Sequence, residues 1–271
     1  ALETPVPTRH PNDVQRLHWR ECAIEAWALG TFMVSAAAFT LLLEHPESPV
    51  RGVVGSDLVR RLLMGLAMGG TAMAIIYSPF GARSGAHMNP ATTLVFARLG
   101  KIAPRDAAGY VTAQFIGGAL GLAAVASIAP MAVAHPSVNY VATEPRAMQA
   151  AAAFIAEALM SFVMMTTVLV VANGRRARLT GVCAGMLVAL FITLEAPISG
   201  MSMNPARSFA PAIVAGNYSS IWIYFTAPLL GMALAAELFV RRRGLHAVLC
   251  ARLNHSGTAA CIFRCRMAEL S

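Results

Sequence analysis

SGAHMNPATTL at Ser84–Leu94 and SGMSMNPARSF at Ser199–Phe209 share Ser, Gly, Met, Asn, Pro and Ala in register, and their reading decides the fold. Each leads into an apolar segment, Pro90–Arg98 and Pro205–Val214. These segments have about half of the ~20 residues that a membrane-spanning helix needs. Asn followed by Pro is a helix start, because Asn caps exposed amides and Pro has no N–H to leave unpaired in the first turn. Two half-length helices are therefore expected to begin at Asn89 and Asn204, too short to cross a bilayer and so re-entrant or lying on its surface.

Around them, six longer apolar runs predict spans at Cys22–Leu43, Leu58–Pro79, Ala107–Ala129, Gln149–Ala172, Leu179–Ala196 and Ser220–Val240. The chain of 271 residues is 57% hydrophobic and 13% charged, against roughly 25% charged in soluble domains. That balance excludes an ordinary soluble protein and indicates a polytopic one in a lipid bilayer. The expected fold class is an all-α membrane protein with six transmembrane helices and two re-entrant half-helices. Arg16 and Arg20 ahead of an apolar stretch imitate a signal peptide, but Glu25 inside the stretch and five later spans indicate a retained helix.

Three spans separate the two copies, so the second half enters the membrane inverted. Other pairs follow the same register: Ile24-Glu25-Ala26 with Ala156-Glu157-Ala158, and Gln114-Phe115-Ile116-Gly117 with Pro228-Leu229-Leu230-Gly231. The chain divides into a cytoplasmic segment 1–20, a membrane-spanning domain 21–243 with repeats of about 21–129 and 149–243, and a tail 244–271. The tail lacks an apolar span and is expected to be disordered and cytoplasmic. Inverted repeats of this kind bring their discontinuous segments together at the midplane and form the site there.

Orientation follows from the basic residues, which with Lys101 as the single lysine are almost all Arg. An inside N-terminus puts Arg9, Arg16, Arg20, Arg83, Arg98, Lys101, Arg105, Arg175, Arg176, Arg178 and Arg241 to Arg243 in the cytoplasm. Only Arg51, Arg60, Arg61 and Arg146 then fall outside, so both termini are expected to be cytoplasmic. The net charge of +8 is spread over short clusters between apolar runs, which argues against nucleic-acid binding. Five cysteines (Cys22, Cys183, Cys250, Cys261, Cys265) imply no disulfide framework. Cys261 and Cys265 have no second ligand pair at usable spacing, so no metal and no cofactor is expected.

Entering from opposite sides, the two half-helices would aim their N-termini at each other, each carrying about half a positive charge from the helix dipole. Cations and hydronium are repelled at such a point, while the amides of Asn89 and Asn204 can donate to a passing neutral molecule. A water bonded to both would be unable to relay protons along a file.

With Asn89-Pro90-Ala91 and Asn204-Pro205-Ala206, Ser84 to His87 before the first box and Arg207 after the second, the chain resembles the aquaporin (major intrinsic protein) family. Glu25, Glu157 and the glycine-containing third and sixth spans add to a resemblance that covers roughly Arg20 to Arg243. It implies a right-handed six-helix bundle, one pore per subunit, a homotetramer and passive transport of water or glycerol. Residence in the cell inner membrane is expected. Arg207 would line the pore as a donor and cation barrier, the alternative being a buried ion pair. Glu25 and Glu157 would brace the loops by accepting backbone N–H bonds; the other reading is a carboxylate in interfacial water. His87 would either line the cytoplasmic half of the pore or bond a loop carbonyl. Glu195 would be an outer-vestibule carboxylate or a partner of Arg60 or Arg61.

Counting from the boxes to the family's selectivity-filter positions gives Gly69, Ile192, Met201 and Arg207, a set without an aromatic wall or histidine. This departs from both the water-selective and the glycerol patterns. Ser208, Ala212 and Tyr224-Phe225, in contrast, match the small residues and aromatic pair of the family's water channels. The expectation is a water channel that also passes small neutral solutes. The alternatives are a glycerol or urea facilitator, an ion-coupled transporter, and an intramembrane serine protease built on Gly200-Met201-Ser202. The protease lacks a well-placed base, because His246 and His255 lie beyond the last span.

Overall fold

The computed structural model describes residues 16–145, 149–255 and 260–270. Within them the six spans are helices α1 (Trp19–Glu44), α2 (Asp57–Tyr77), α4 (Pro104–Ile128), α5 (Ala150–Ala172), α6 (Thr180–Ser199) and α8 (Ile221–Arg243). The half-helices are α3 (Pro90–Arg98) and α7 (Pro205–Ala215). All six long helices have the length and hydropathy needed to cross a membrane. The expectations for Arg9 and Arg146, and for residues 1–15, 256–259 and 271 of the two terminal segments, lie outside the described residues.

Helix α1 packs chiefly on α4, α5 on α8, and α2 on α6, so the principal pairs repeat between the halves. Glycines allow the close crossings. A Cβ on Gly117 would stand 2.0 Å from the Ala26 carbonyl oxygen, and one on the equivalent Gly231 2.1 Å from that of Ala158. With little hydrophobic drive between helices in lipid, such close backbone approach is what allows them to pack. The outward faces remain apolar, with Leu66, Leu120, Leu159 and Leu234 exposed, as a lipid-facing surface requires.

Gly69 departs from its expected place. Its Cβ position lies 2.3 Å from the Gly185 carbonyl oxygen, so it marks the α2–α6 crossing and does not face the interior. Met64, Met68, Ala72 and Ile76, spaced one helical turn apart, are the α2 residues that face the central cavity.

The chain after α8 also differs from the expectation of disorder. It turns back beneath the helices, burying Val248, Cys250, Ala251, Leu253 and Phe263. Leu253 N donates to Gly85 O at 3.2 Å, and the Asn173 side-chain oxygen accepts from Leu249 N at 2.6 Å. These residues are too short and irregular a set to register as an apolar helix or strand, yet they fill the space below α3.

The glycine crossing predicts a contrast between neighbours. Gly69→Ala should destabilise the detergent-solubilised protein by about 1–3 kcal/mol through overpacking. Gly70→Ala, with open space around its Cβ position, should melt like the parent. Equal melting temperatures for both variants would show that α2 and α6 are not in this contact.

Candidate functional site

Asn89 and Asn204 both adopt extended backbone and cap their half-helices. Asn89 Oδ1 accepts from Ala91 N at 2.9 Å, and Asn204 Oδ1 accepts from Ala206 N at 3.0 Å and Arg207 N at 3.2 Å. Pro90 and Pro205 occupy the first turns. Each amide also crosses to the other half: Asn89 Nδ2 donates to Met203 O at 2.7 Å, and Asn204 Nδ2 to Met88 O at 2.6 Å. Since a side-chain amide carries two N–H donors, one remains on each for the cavity that both residues line.

The loops before the boxes contain left-handed residues without glycine's freedom: Ala86 (φ 54°) and Met88 (φ 51°), then Met201 (φ 49°) and Met203 (φ 55°). Each costs roughly 1–2 kcal/mol, so something must hold them. Two buried carboxylates do. Glu25 accepts from Ser84 Oγ (2.8 Å), His87 N (3.0 Å), Met88 N (2.7 Å) and Gln114 Nε2 (2.8 Å). Glu157 accepts from Ser199 Oγ (2.7 Å), Ser202 N (2.7 Å) and Met203 N (2.6 Å). Both are fully buried. Tyr110, which sequence reasoning missed, and Tyr224, which it read only as one of an aromatic pair, add a matching brace, their hydroxyls donating to Ser84 O and Ser199 O. Their signal was present, because each stands four residues before the aligned Gln114 and Pro228.

A cavity of about 290 Å³ runs between the helices, and Asn89, Asn204, Ile192, Met201, Arg207 and His87 all line it. Most of its wall is apolar, with Leu29, Phe32, Val188 and Met232 among the contributors. Arg207 Nη1 donates to Val141 O at 2.7 Å, which fixes the guanidinium against the α4–α5 connection. His87 combines both of its expected places. It faces the cavity, its Nδ1 bonds Thr93 Oγ1 at 3.0 Å, and its Nε2 bonds Ala251 O of the tail at 2.9 Å. Glu195 reaches Ser199 Oγ at 2.9 Å. It pairs with neither expected arginine: Arg60 binds Glu44, and Arg61 donates to Thr193 O. Tyr224 is buried by its Ser199 bond, and Phe225 stacks on Phe115.

The expectation that no second ligand pair accompanies Cys261 and Cys265 fails for a geometric reason. The fold-back of the tail brings Cys250 and His255 to them, although spacing along the chain does not suggest it.

A six-span inverted repeat closed by two capped half-helices around one lined cavity defines a membrane pore architecture. The family model of the major intrinsic protein matches residues 14–239, and the chain belongs to that family. Among curated relatives, Aquaporin NIP3-1 of Zea mays is 38% identical over 177 residues, covering 64% of this chain and 57% of that protein. Aquaporin NIP2-1 of Oryza sativa subsp. japonica is 35% identical over 202 residues, covering 73% and 66%. The chain thus spans somewhat less than two thirds of the length of such relatives. The X-ray structure of the aquaglyceroporin from Plasmodium falciparum superposes with a TM-score of 0.64 at 19% identity, covering 81% of this chain and 94% of that one, and shares its fold.

The carboxylate frame predicts that Glu25→Gln replaces acceptor oxygens with an amide facing N–H donors. Leaving such buried groups unmatched costs about 1–3 kcal/mol. The variant should lose thermal stability in detergent, read from loss of the monodisperse peak after heating. Parent-like stability would remove Glu25 from the frame.

Proposed function

We propose that this chain is a passive channel for water that also passes small neutral solutes such as glycerol or urea, and that it excludes ions and protons. The reciprocal Asn89 to Met203 and Asn204 to Met88 bonds carry the reading, since they join two positive helix ends at one point on the cavity wall. Membership of the major intrinsic protein family supports it. Ion coupling would require an acidic or cation-binding side chain in the wall, where the charged or titratable groups are Arg207 and a His87 whose two ring nitrogens are engaged by Thr93 and Ala251. Catalysis has no support either: Ser202 bonds Ser208 Oγ and Asn204 O, while His87 is held by Thr93 and Ala251.

The constriction is assigned to Ile192, Met201 and Arg207, with Met68 taking the position that counting gave to Gly69. Three apolar side chains leave Arg207 as the main donor, so a solute sheds water without full replacement by the wall. The excess of arginine on the face holding Arg83, Lys101 and Arg241 to Arg243 supports cytoplasmic termini. A homotetramer, each subunit with its own pore, is the assembly expected of the family.

Proteoliposomes challenged with sucrose should shrink faster with the protein than without it, and glycerol or urea should then re-enter measurably. Met68→Ala should raise glycerol and urea flux several-fold more than water flux, because it widens the constriction for the larger cross-section. Unchanged selectivity would remove Met68 from the wall. Arg207→Val should retain water flow and raise cation leak, since a charge in a narrow low-dielectric pore acts far more strongly than in bulk water. A leak at the parent level would mean that Arg207 is not the barrier.

A further inference from the structure

The tail that folds under the pore carries a cluster of four potential metal ligands. Cys250 Sγ lies 3.6 Å from Cys261 Sγ, and Cys265 Sγ lies 3.8 Å from His255 Nε2. The donor atoms of Cys250, His255 and Cys265 all fall within 4.8 Å of one another. In a tetrahedral zinc site, bonds of ~2.3 Å to sulfur and ~2.0–2.1 Å to nitrogen put neighbouring ligand atoms roughly 3.3–3.8 Å apart. The two nearest separations match such edges. A disulfide would require about 2.05 Å, and all the cysteines are free thiols.

The surroundings suit a cation held by thiolates. Cys250 is buried, and among the described residues the Nδ1 of His255 is buried without a hydrogen-bond partner, while its Nε2 faces Cys265 Sγ. On metal binding three thiols release their protons while the imidazole binds neutral. A divalent ion with three thiolates leaves one negative charge, and the buried Arg252, whose backbone N–H donates to Cys250 Sγ at 3.4 Å, places a cation beside the cluster.

The cluster also sits where order matters. The segment between Cys250 and His255 contains Ala251, whose carbonyl accepts from His87, and Leu253, whose side chain enters the wall of the central cavity. Asn254 Nδ2 donates to Ile76 O at 3.2 Å, and the Phe263 ring stacks on His87 with centroids 5.4 Å apart. A segment with only short helical turns gains little from its own backbone. An ion that ties its two arms together would fix all of these contacts at once.

We propose that Cys250, His255, Cys261 and Cys265 bind a thiophilic tetrahedral cation, represented by zinc(II), and that the bound ion holds Leu253 in the mouth of the pore. The binding half stands on the cluster geometry alone, while the gating half rests on the pore reading. Full-length protein, purified under reducing conditions and stripped by a chelator, should take up about one zinc(II) per chain. Cobalt(II) in its place should give the thiolate charge-transfer and tetrahedral d–d bands. Cys250→Ser and Cys265→Ser should lose most of this binding, and Cys183→Ser should retain it. Uptake below a tenth of an equivalent, or uptake indifferent to Cys250 and Cys265, would overturn the site, as would a Cys250–Cys261 disulfide that persists in reductant.

Metal content is read in detergent, so its failure is separate from any failure of transport. In proteoliposomes, zinc removal and Cys265→Ser should each raise water flux several-fold. Leu253→Ala should raise flux with metal content unchanged. Flux identical with and without bound zinc would overturn the gating half.

Discussion

Two helix N-termini that meet inside an apolar layer repel each other, and the irregular backbone leading to them would leave its polar groups without water. The structure meets both demands through the exchange between Asn89 and Met203 and between Asn204 and Met88, backed by Glu25 and Glu157. Without the carboxylates, the left-handed residues of both loops would lose the bonds that hold them. Without the exchange, the half-helices would have no fixed separation. Non-helical backbone is tolerated at membrane depth only when it is buried in protein or lines a cavity, and here it does both.

The same frame bears on how a mostly apolar cavity wall would be selective in the proposed channel. Among its polar groups, the two asparagine side chains, Arg207 and His87 are each held by a hydrogen bond to the surrounding protein. Under the proposed function they are fixed in direction before any solute arrives, so little ordering would have to occur on its passage. Apolar residues between them provide width and little retention.

Spans and half-helices were legible because the length of an apolar run and an Asn-Pro start are local properties. The half-helix Pro90–Arg98 was read with its observed bounds, and the other was extended only by Ala215. Lumen-facing residues are harder to read. One residue turns a helix by 100°, so an ungapped count that errs by one exchanges Met68, which faces the cavity, for Gly69, which faces α6. Of the two readings of Glu195, pairing with Arg60 or Arg61 fails because Arg60 pairs with Glu44 and Arg61 donates to the Thr193 carbonyl, while Glu195 accepts from Ser199 on its own helix. The tail was illegible because its burial depends on positions distant in sequence, Ile76, Gly85 and Lys101 among them.

The central claim is that the paired half-helix ends pass neutral molecules and stop protons. The most direct measurement records osmotic shrinkage and internal pH together, in proteoliposomes holding a pH-sensitive dye under an imposed proton gradient. The account predicts accelerated shrinkage with a dye signal no faster than in empty vesicles. A dye response that tracks the rate of shrinkage would contradict it.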